Sequence, residues 1–287
     1  MNATLQALIG SDILSNCLLL FVKKYNCMDQ LDPCLLAYIR VILETRGQNA
    51  GNQNAGNQIP YNPREFKLTL DRQKRQFRGS AQHDANELLV CLINEFVDGS
   101  KDAKMQGLIK SICFGKYRQY VCCDECKHIS ESYFSFFDVV LPIPVASPMA
   151  RSVTPLEACF AMFAQCEVLD GSNSWLCDQC KKKVTAHKKM EIKQVPDLAV
   201  FTLNRFRGAV KNTQPVQIYK QIELDGKKLK LISTVNHYGG VGGGHYVAHV
   251  LDAGQWYRVD DSAVSRVDIN TILCDPSVYM MMYQLDV

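Results

Sequence analysis

Apolar residues recur at helical spacing through the first third of the chain and alternate with polar ones through most of the remainder. Residues 2–8 are good helix formers with no start signal ahead of them, as if the helix were already under way. Ser11 and Asp12 are placed to cap a second helix running to Val22. Asp32-Pro33 opens a third, to about Thr45, with Leu35, Leu36, Ile39, Ile42 and Leu43 on one face. A strong helix begins at Ser80 or Gln82, and its buried stripe is Leu88, Leu89, Leu92, Ile93 and Phe96. Asp84 and Glu87 fall in its first turns, where the positive end of the helix dipole favours carboxylates and capping alone accounts for them.

From Cys113 the period changes. Strands are expected over residues 117–121, 134–143, 199–203, 217–224, 229–235, 246–251, 256–259 and Val278–Leu285. Between them, Thr154-Pro155-Leu156-Glu157 has the form of a capping box and predicts a helix to about Gln165. The resulting class is α+β with segregated halves, residues 1–112 mainly helical and 113–287 mostly sheet. Residues 48–58 are a polar tandem repeat of Asn, Ala, Gly and Gln that cannot bury apolar surface, and read as a low-complexity insertion in a loop.

Residues 239–262 organise the rest. Five of the six residues before His245 are glycine, which suits a loop that a substrate backbone passes closely. Two strands follow, ending at Asp260-Asp261, and antiparallel pairing would bring His245 near Asp260. A histidine beside a carboxylate is the base-and-orienter half of a catalytic triad. A glycine-rich hairpin with an ordinary surface histidine is the alternative, and the stretch itself leaves both open.

Composition narrows the field. The 287 residues are 47% hydrophobic and 21% charged, with net charge +3. Such a mild balance argues against nucleic acid or an anionic membrane as partner, and no apolar run reaches the length of a span. Thirteen cysteines, an odd number, include Cys123-x-x-Cys126 and Cys177-x-x-Cys180. This points to a reducing, intracellular setting, cytoplasm or nucleus, and to metal binding rather than a disulfide framework. Two such pairs make an all-thiolate tetrahedral site, the arrangement structural zinc takes, with no open position for catalysis. Two redox motifs, or four free thiols, are the other readings of the same spacing. Cys122 is a spare thiol beside the site. Lys181-Lys182-Lys183 and Lys188-Lys189 flank the second pair and read as a solvated loop face.

Taken in order, these segments resemble the ubiquitin-specific proteases, cysteine peptidases that remove ubiquitin. Residues 1–6 are similar to the helix that follows the family's nucleophile. Gln82-His83-Asp84-Ala85-Asn86-Glu87-Leu88 resembles its Gln-x-Asp-Ala-x-Glu-Phe box, with Leu88 in place of Phe. The cysteine pairs resemble its zinc-bearing fingers, and Val195-Pro196-Asp197-Leu198 with Leu203-Asn204-Arg205-Phe206 its Pro-x-x-Leu and Leu-x-Arg-Phe segments. Gly244-His245-Tyr246 and residues 256–262 resemble its histidine box. In detail the fingers and the lysine run look loosely like the nucleolar scrawny-type branch.

The resemblance implies a papain-like fold of thumb, palm and fingers. It implies His245 as general base, Asp260 as its orienter, and Asp261 as a second acid that polarises the site or stabilises the oxyanion. It implies one structural zinc on Cys123, Cys126, Cys177 and Cys180. Gln82, Asp84, Glu87, Gly244 and Tyr246 would line the path of a ubiquitin tail, and the partners would be ubiquitin, polyubiquitin and ubiquitinated proteins. The family motif puts the nucleophilic cysteine two residues ahead of the position occupied by Met1. Cys17 and Cys91 read as core and are poor substitutes. The expectation is therefore a truncated, inactive form of an active protease, the alternative being a ubiquitin-binding pseudoenzyme.

Overall fold

The computed structural model describes residues 1–51, 63–144 and 153–286. Six helices come first: α1 (Asn2–Ile9), α2 (Asp12–Tyr25), α3 (Pro33–Gly51), α4 (Arg64–Gln73), α5 (Ala85–Asp98) and α6 (Ala103–Cys113). Ser11 caps α2 by accepting the Leu14 amide, and the Asp32 carboxylate accepts the amides of Cys34 and Leu35 at the start of α3. Helix α3 runs past the expected end, so residues 48–51 of the polar repeat are helical; residues 52–58 lie outside the described part. Leu43 is exposed, because the buried face of α3 passes instead through Leu35, Tyr38, Ile39 and Ile42. Helix α5 starts later than expected. Its N-cap is Asp84, which accepts the Asn86 and Glu87 amides, while Gln82 is drawn away to bond Gly244.

The strands used below are β1 (Gly115–Cys123), β2 (Ile129–Phe136), β3 (Asp138–Leu141), β4 (Glu167–Leu169), β5 (Ala186–Gln194), β6 (Leu198–Leu203), β7 (Lys227–Gly240), β8 (Gly243–Asp252), β9 (Gln255–Asp260), β10 (Ala263–Arg266) and β11 (Val278–Leu285). The main sheet runs β10-β9-β8-β7-β11-β6-β3, with Gln221–Leu224 also paired to β7. A second sheet, β2-β1-β5-β4, projects from it. The apolar run over 134–143 thus serves both sheets, breaking at Phe137 between β2 and β3, and the run over 217–224 breaks into Val216–Gln217 and Gln221–Leu224.

The expected capping box does not form. Thr154 and Pro155 pair in parallel with Val216 and Gln217, and α7 (Leu156–Phe163) begins without a side-chain cap. The Thr154 amide donates to the Pro215 carbonyl, so strand pairing has claimed the backbone a cap would need.

Helices α1, α2, α3, α5 and α6 pack on one face of the main sheet, against Val200, Val235, Ala248, Met280 and Met282. The opposite face buries Leu141, Leu156, Phe201, Leu231, Met281 and Tyr283. All six residues of β6 are buried, as a strand covered on both faces requires. The second sheet joins the core of that opposite face through Phe136, Tyr117 and Ile192; elsewhere it has only small clusters, Val121 with Leu169 and Ala186, and Cys123 with Cys177 and Val184 of the separate hairpin Trp175–Cys177/Lys182–Val184. Among the described residues no single helix is long and apolar enough to cross a membrane.

The glycines before His245 form a hairpin rather than an open loop. Gly239 pairs with Gly244 and Gly240 with Gly243, leaving Val241 and Gly242 as the turn. Two of them have no alternative. Gly239 sits at φ 101°, and a Cβ on Gly244 would lie 2.1 Å from His237 Nε2 and 2.4 Å from the Tyr238 carbonyl.

Candidate functional site

The hairpin carries His245 to the start of β8, and the antiparallel neighbour β9 ends at Asp260. His245 Nε2 and Asp260 Oδ1 are 2.5 Å apart, and Arg258 Nη2 reaches Asp260 Oδ2 at 2.8 Å. The hydrogen bond from His245, then the Arg258 guanidinium, hold the Asp260 carboxyl below the usual carboxylate range. The bond to Asp260 uses Nε2, so Nδ1 is left to meet a reactant. The His245 side chain is 51% exposed, so a reactant can reach it.

Asp261 follows at φ 50°, a tight turn that sends its side chain back toward α1. Its Oδ1 accepts the Asn2 amide at 2.7 Å, and its carbonyl accepts Gln6 Nε2 at 3.0 Å. The first turn of α1 is thereby fixed beside the His245–Asp260 pair. The ligating atoms of His245, Asp260 and Asp261 all lie within 4.8 Å of one another, and no cysteine among the described residues joins them. Cys17 and Cys91 are half-buried, and burial pushes both thiols up, away from nucleophilic character.

A cavity of about 530 Å³ opens between α5 and the hairpin, with Gln82, Asp84, Phe206, His237, Gly244 and Tyr246 among its walls. Gln82 bonds Gly244 in both directions, donating from Nε2 to the carbonyl and accepting the amide on Oε1, each at 3.0 Å. Asp84 Oδ2 accepts the hydroxyls of Tyr246 at 3.2 Å and Tyr279 at 2.8 Å, while Oδ1 caps α5. Its carboxylate is thus engaged by the protein itself. Glu87 stands apart: it is not part of the cavity wall, and it accepts a long bond from Gln76.

Three wall residues passed over as site candidates in the sequence reading have buried polar atoms without a partner: His83 Nε2, Arg205 Nη2 and His237 Nδ1. Arg205 is fully buried and donates to the carbonyls of Val278, Asn212 and Gln214, which leaves one end of its guanidinium unused. The Leu-x-Arg-Phe segment was the one signal for it. A buried polar atom left unpaired costs about 1–3 kcal/mol, and these three are sealed from solvent as well as unpaired. Below them, Asp138 accepts Asn86 and Thr202, and burial pushes its carboxyl up to about 6.

The four predicted cysteines meet where the turn after β1 faces the turn of the hairpin Trp175–Cys177/Lys182–Val184. Cys123 and Cys180 sulfurs are 3.8 Å apart, and those of Cys126 and Cys177 3.6 Å, so the close pairs cross between the motifs. The two turns are built alike. Cys126 and Cys180 donate their amides to the sulfurs of Cys123 and Cys177, and Lys127 and Lys181 close each turn at φ 57° and 56°. Such a set can hold a metal ion. Lys182, Lys188 and Lys189 pair with Glu125, Glu167 and Glu191, which neutralises most of the lysine run.

The family model for ubiquitin carboxyl-terminal hydrolases matches residues 1–283. Ubiquitin carboxyl-terminal hydrolase 21 of Rattus norvegicus is 27% identical over 269 residues, 88% of this chain and 44% of the relative. Ubiquitin carboxyl-terminal hydrolase 23 of Arabidopsis thaliana is 28% identical over 247 residues, 78% and 28%, and hydrolase 3 of Homo sapiens 26% over 278 residues, 79% and 53%. The chain therefore spans from about a quarter to a half of these relatives' length. Among solved structures, a chain of the SAGA DUB module Ubp8/Sgf11/Sus1/Sgf73 bound to monoubiquitin superposes with a TM-score of 0.80 at 21% identity, covering 100% of this chain and 66% of that one. At that identity the likeness shows the fold: the papain-like arrangement of thumb, palm and fingers.

Proposed function

The chain belongs to the ubiquitin carboxyl-terminal hydrolase family, and from this premise we propose that it carries the site of a thiol-dependent deubiquitinase. Its reaction is hydrolysis of the isopeptide or peptide bond after ubiquitin's terminal glycine. Residues 1–112 serve as thumb and 113–287 as palm and fingers. The observation that carries this reading is the His245–Asp260 pair held at the head of α1, on the strand whose hairpin, with Gln82, Asp84 and Tyr246, walls the cavity.

Each residue has a physical task. His245 takes the thiol proton on Nδ1, while Asp260 holds the ring by Nε2 and stabilises the imidazolium. Asp261 locks Asn2, and so the start of α1, in register with that histidine; a thiol placed just before this helix gains from its positive end. The tail of ubiquitin, ending in two glycines, runs through the cavity as extended backbone. The Gly239–Gly244 pairing leaves no side chain in its way. Gln82, Tyr246 and Asp84 set the shape of that path, Gln82 through Gly244 and Asp84 through the tyrosine hydroxyls. Glu87 acts at the rim.

One zinc ion fits the four cysteines. Sulfurs about 2.3 Å from a common tetrahedral zinc lie about 3.8 Å from each other, and the observed contacts are 3.8 and 3.6 Å. Cys123, Cys126, Cys177 and Cys180 would hold it as a closed structural site. The same thiol-rich composition supports an intracellular setting, and ubiquitin and its conjugates are the partners.

The test places a thiol ahead of α1. A version carrying Asn-Thr-Cys-Phe ahead of Met1, the Phe abutting Met1, should form a covalent adduct with ubiquitin bearing a C-terminal propargyl group. Adduct formation that depends on His245 supports the reading. Ubiquitin binding without any adduct would make the protein a binding module instead.

A further inference from the structure

The fingers hold a second arrangement of thiol, imidazole and carboxylate, separate from His245. Cys166 precedes β4, and its sulfur lies 3.7 Å from Nδ1 of His187 on β5. On the other side of the ring, His187 Nε2 lies 3.1 Å from Oδ1 of Asp124. Three segments far apart in sequence converge to make this relay. With Nε2–H donating to Asp124, the ring presents its lone pair on Nδ1 to the thiol. Cys166 is exposed and opens onto a surface cavity of about 380 Å³, whose wall includes the ion pair of Lys188 with Glu167.

No other thiol outside the four-cysteine cluster has this setting. Burial pushes Cys17, Cys27, Cys34, Cys91, Cys113 and Cys159 up. Cys122 is half-buried and donates to the Cys123 carbonyl. Cys274 is exposed too, but its thiol donates to Gln217 Oε1 at 2.6 Å.

We propose that Cys166 is a reactive thiol of the fingers, a site of mixed-disulfide formation with glutathione disulfide, in which His187 accepts the thiol proton and Asp124 orients the ring. The Cys166 S–H proton passes to His187 Nδ1, and the thiolate attacks one sulfur of the disulfide. A new S–S bond to Cys166 forms as the old S–S bond breaks, and the departing glutathione thiolate takes the proton back from His187. Cys166 is oxidised and the glutathione disulfide reduced, so atoms and electrons balance.

The experiment is a time course of the zinc-loaded protein with glutathione disulfide, each cysteine followed by peptide mass spectrometry. Cys166 should be modified at least about tenfold faster than Cys274, and His187→Gln should remove that advantage. Zinc content measured on the variant shows that the fingers remain assembled. Equal rates at Cys166 and Cys274 in the unmodified protein overturn the proposal without recourse to any variant. An undiminished Cys166 rate in a zinc-loaded His187→Gln protein overturns the role of the imidazole.

Discussion

The four cysteines of the fingers and the His245 cluster of the palm are built from residues of similar chemistry and arranged for opposite ends. Cys123 and Cys177 are fully buried and their sulfurs take backbone amides, Cys126 and Cys180 are more open, and the four sulfurs lie within 4.8 Å of one another. His245 is half-exposed, fixed by one nitrogen and free to use the other. On the proposed function, the saturated set would hold the fold together and the unsaturated one would do chemistry. The surroundings agree. Away from Phe136, Tyr117 and Ile192 the finger sheet buries very little apolar surface and needs a cross-link, while the His245 hairpin is part of an eight-stranded sheet with a core on both faces.

The sharpest way to break this comparison is to open the closed site. Chelation, or Cys177→Ser, should release the metal and abolish hydrogen-exchange protection in β1, β2 and β5, while β6, β7 and β11 stay protected; structural zinc in small domains supplies on the order of 10 kcal/mol. Fingers that keep their protection without metal would show that the cysteines merely pack.

The open site should behave the other way round. With a thiol in place ahead of α1, His245→Ala should lower turnover of ubiquitin conjugates about 10²–10⁴-fold, yet shift stability by no more than about 0.5 kcal/mol, as exposed positions do. A large fall in the unfolding midpoint would give His245 a structural part.

Asp84 tests the boundary between the two behaviours, since it lines the cavity but spends its carboxylate internally. Asp84→Ala removes a helix cap and strands two tyrosine hydroxyls, and should cost about 2–4 kcal/mol in denaturant titration. A loss of ubiquitin affinity with unchanged stability would instead make it a direct contact to the tail.

The smallest effect is on pH dependence. His249, buried on β8 between Thr234 and Asn236, has its imidazole pushed down to about 4 by burial. A histidine depressed in the fold contributes stability that is complete above its unfolded value near 6.5 and is lost as pH falls toward 4. From pH 7 to 5 this amounts to about 1–2 kcal/mol. Asp138, pushed up to about 6, contributes the opposite slope in the same window. The measurement is therefore the difference between His249→Gln and the unmodified protein at each pH. Parallel curves would mean that His249 binds its proton alike in the folded and unfolded states.

Much of this was legible in the sequence, and unevenly. The strand Val278–Leu285 and the two cysteine turns follow from residues adjacent in the chain. Two of the failures share one cause. Thr154 looks like a cap until its backbone pairs with Val216, and the glycines before His245 look like a loop until Gly239 and Gly240 find Gly244 and Gly243 across the hairpin. Strand pairing between distant segments outweighs a local preference worth about 1 kcal/mol.

The sequence by itself determined what is periodic or closely spaced: helices first and sheet after, four thiols in two turns, and a histidine one hairpin from an aspartate. Those features depend on interactions a few residues long, which the order of side chains already specifies. Only the tertiary structure decided that Asp84 serves Tyr246 and Tyr279, that Asp261 holds Asn2, that Arg205, His83 and His237 leave polar atoms unpaired around one cavity, and that Cys166 meets His187 and Asp124. Each joins residues separated by many positions in the chain. Such contacts are fixed by how the sheets and helices pack against one another, which no local pattern encodes.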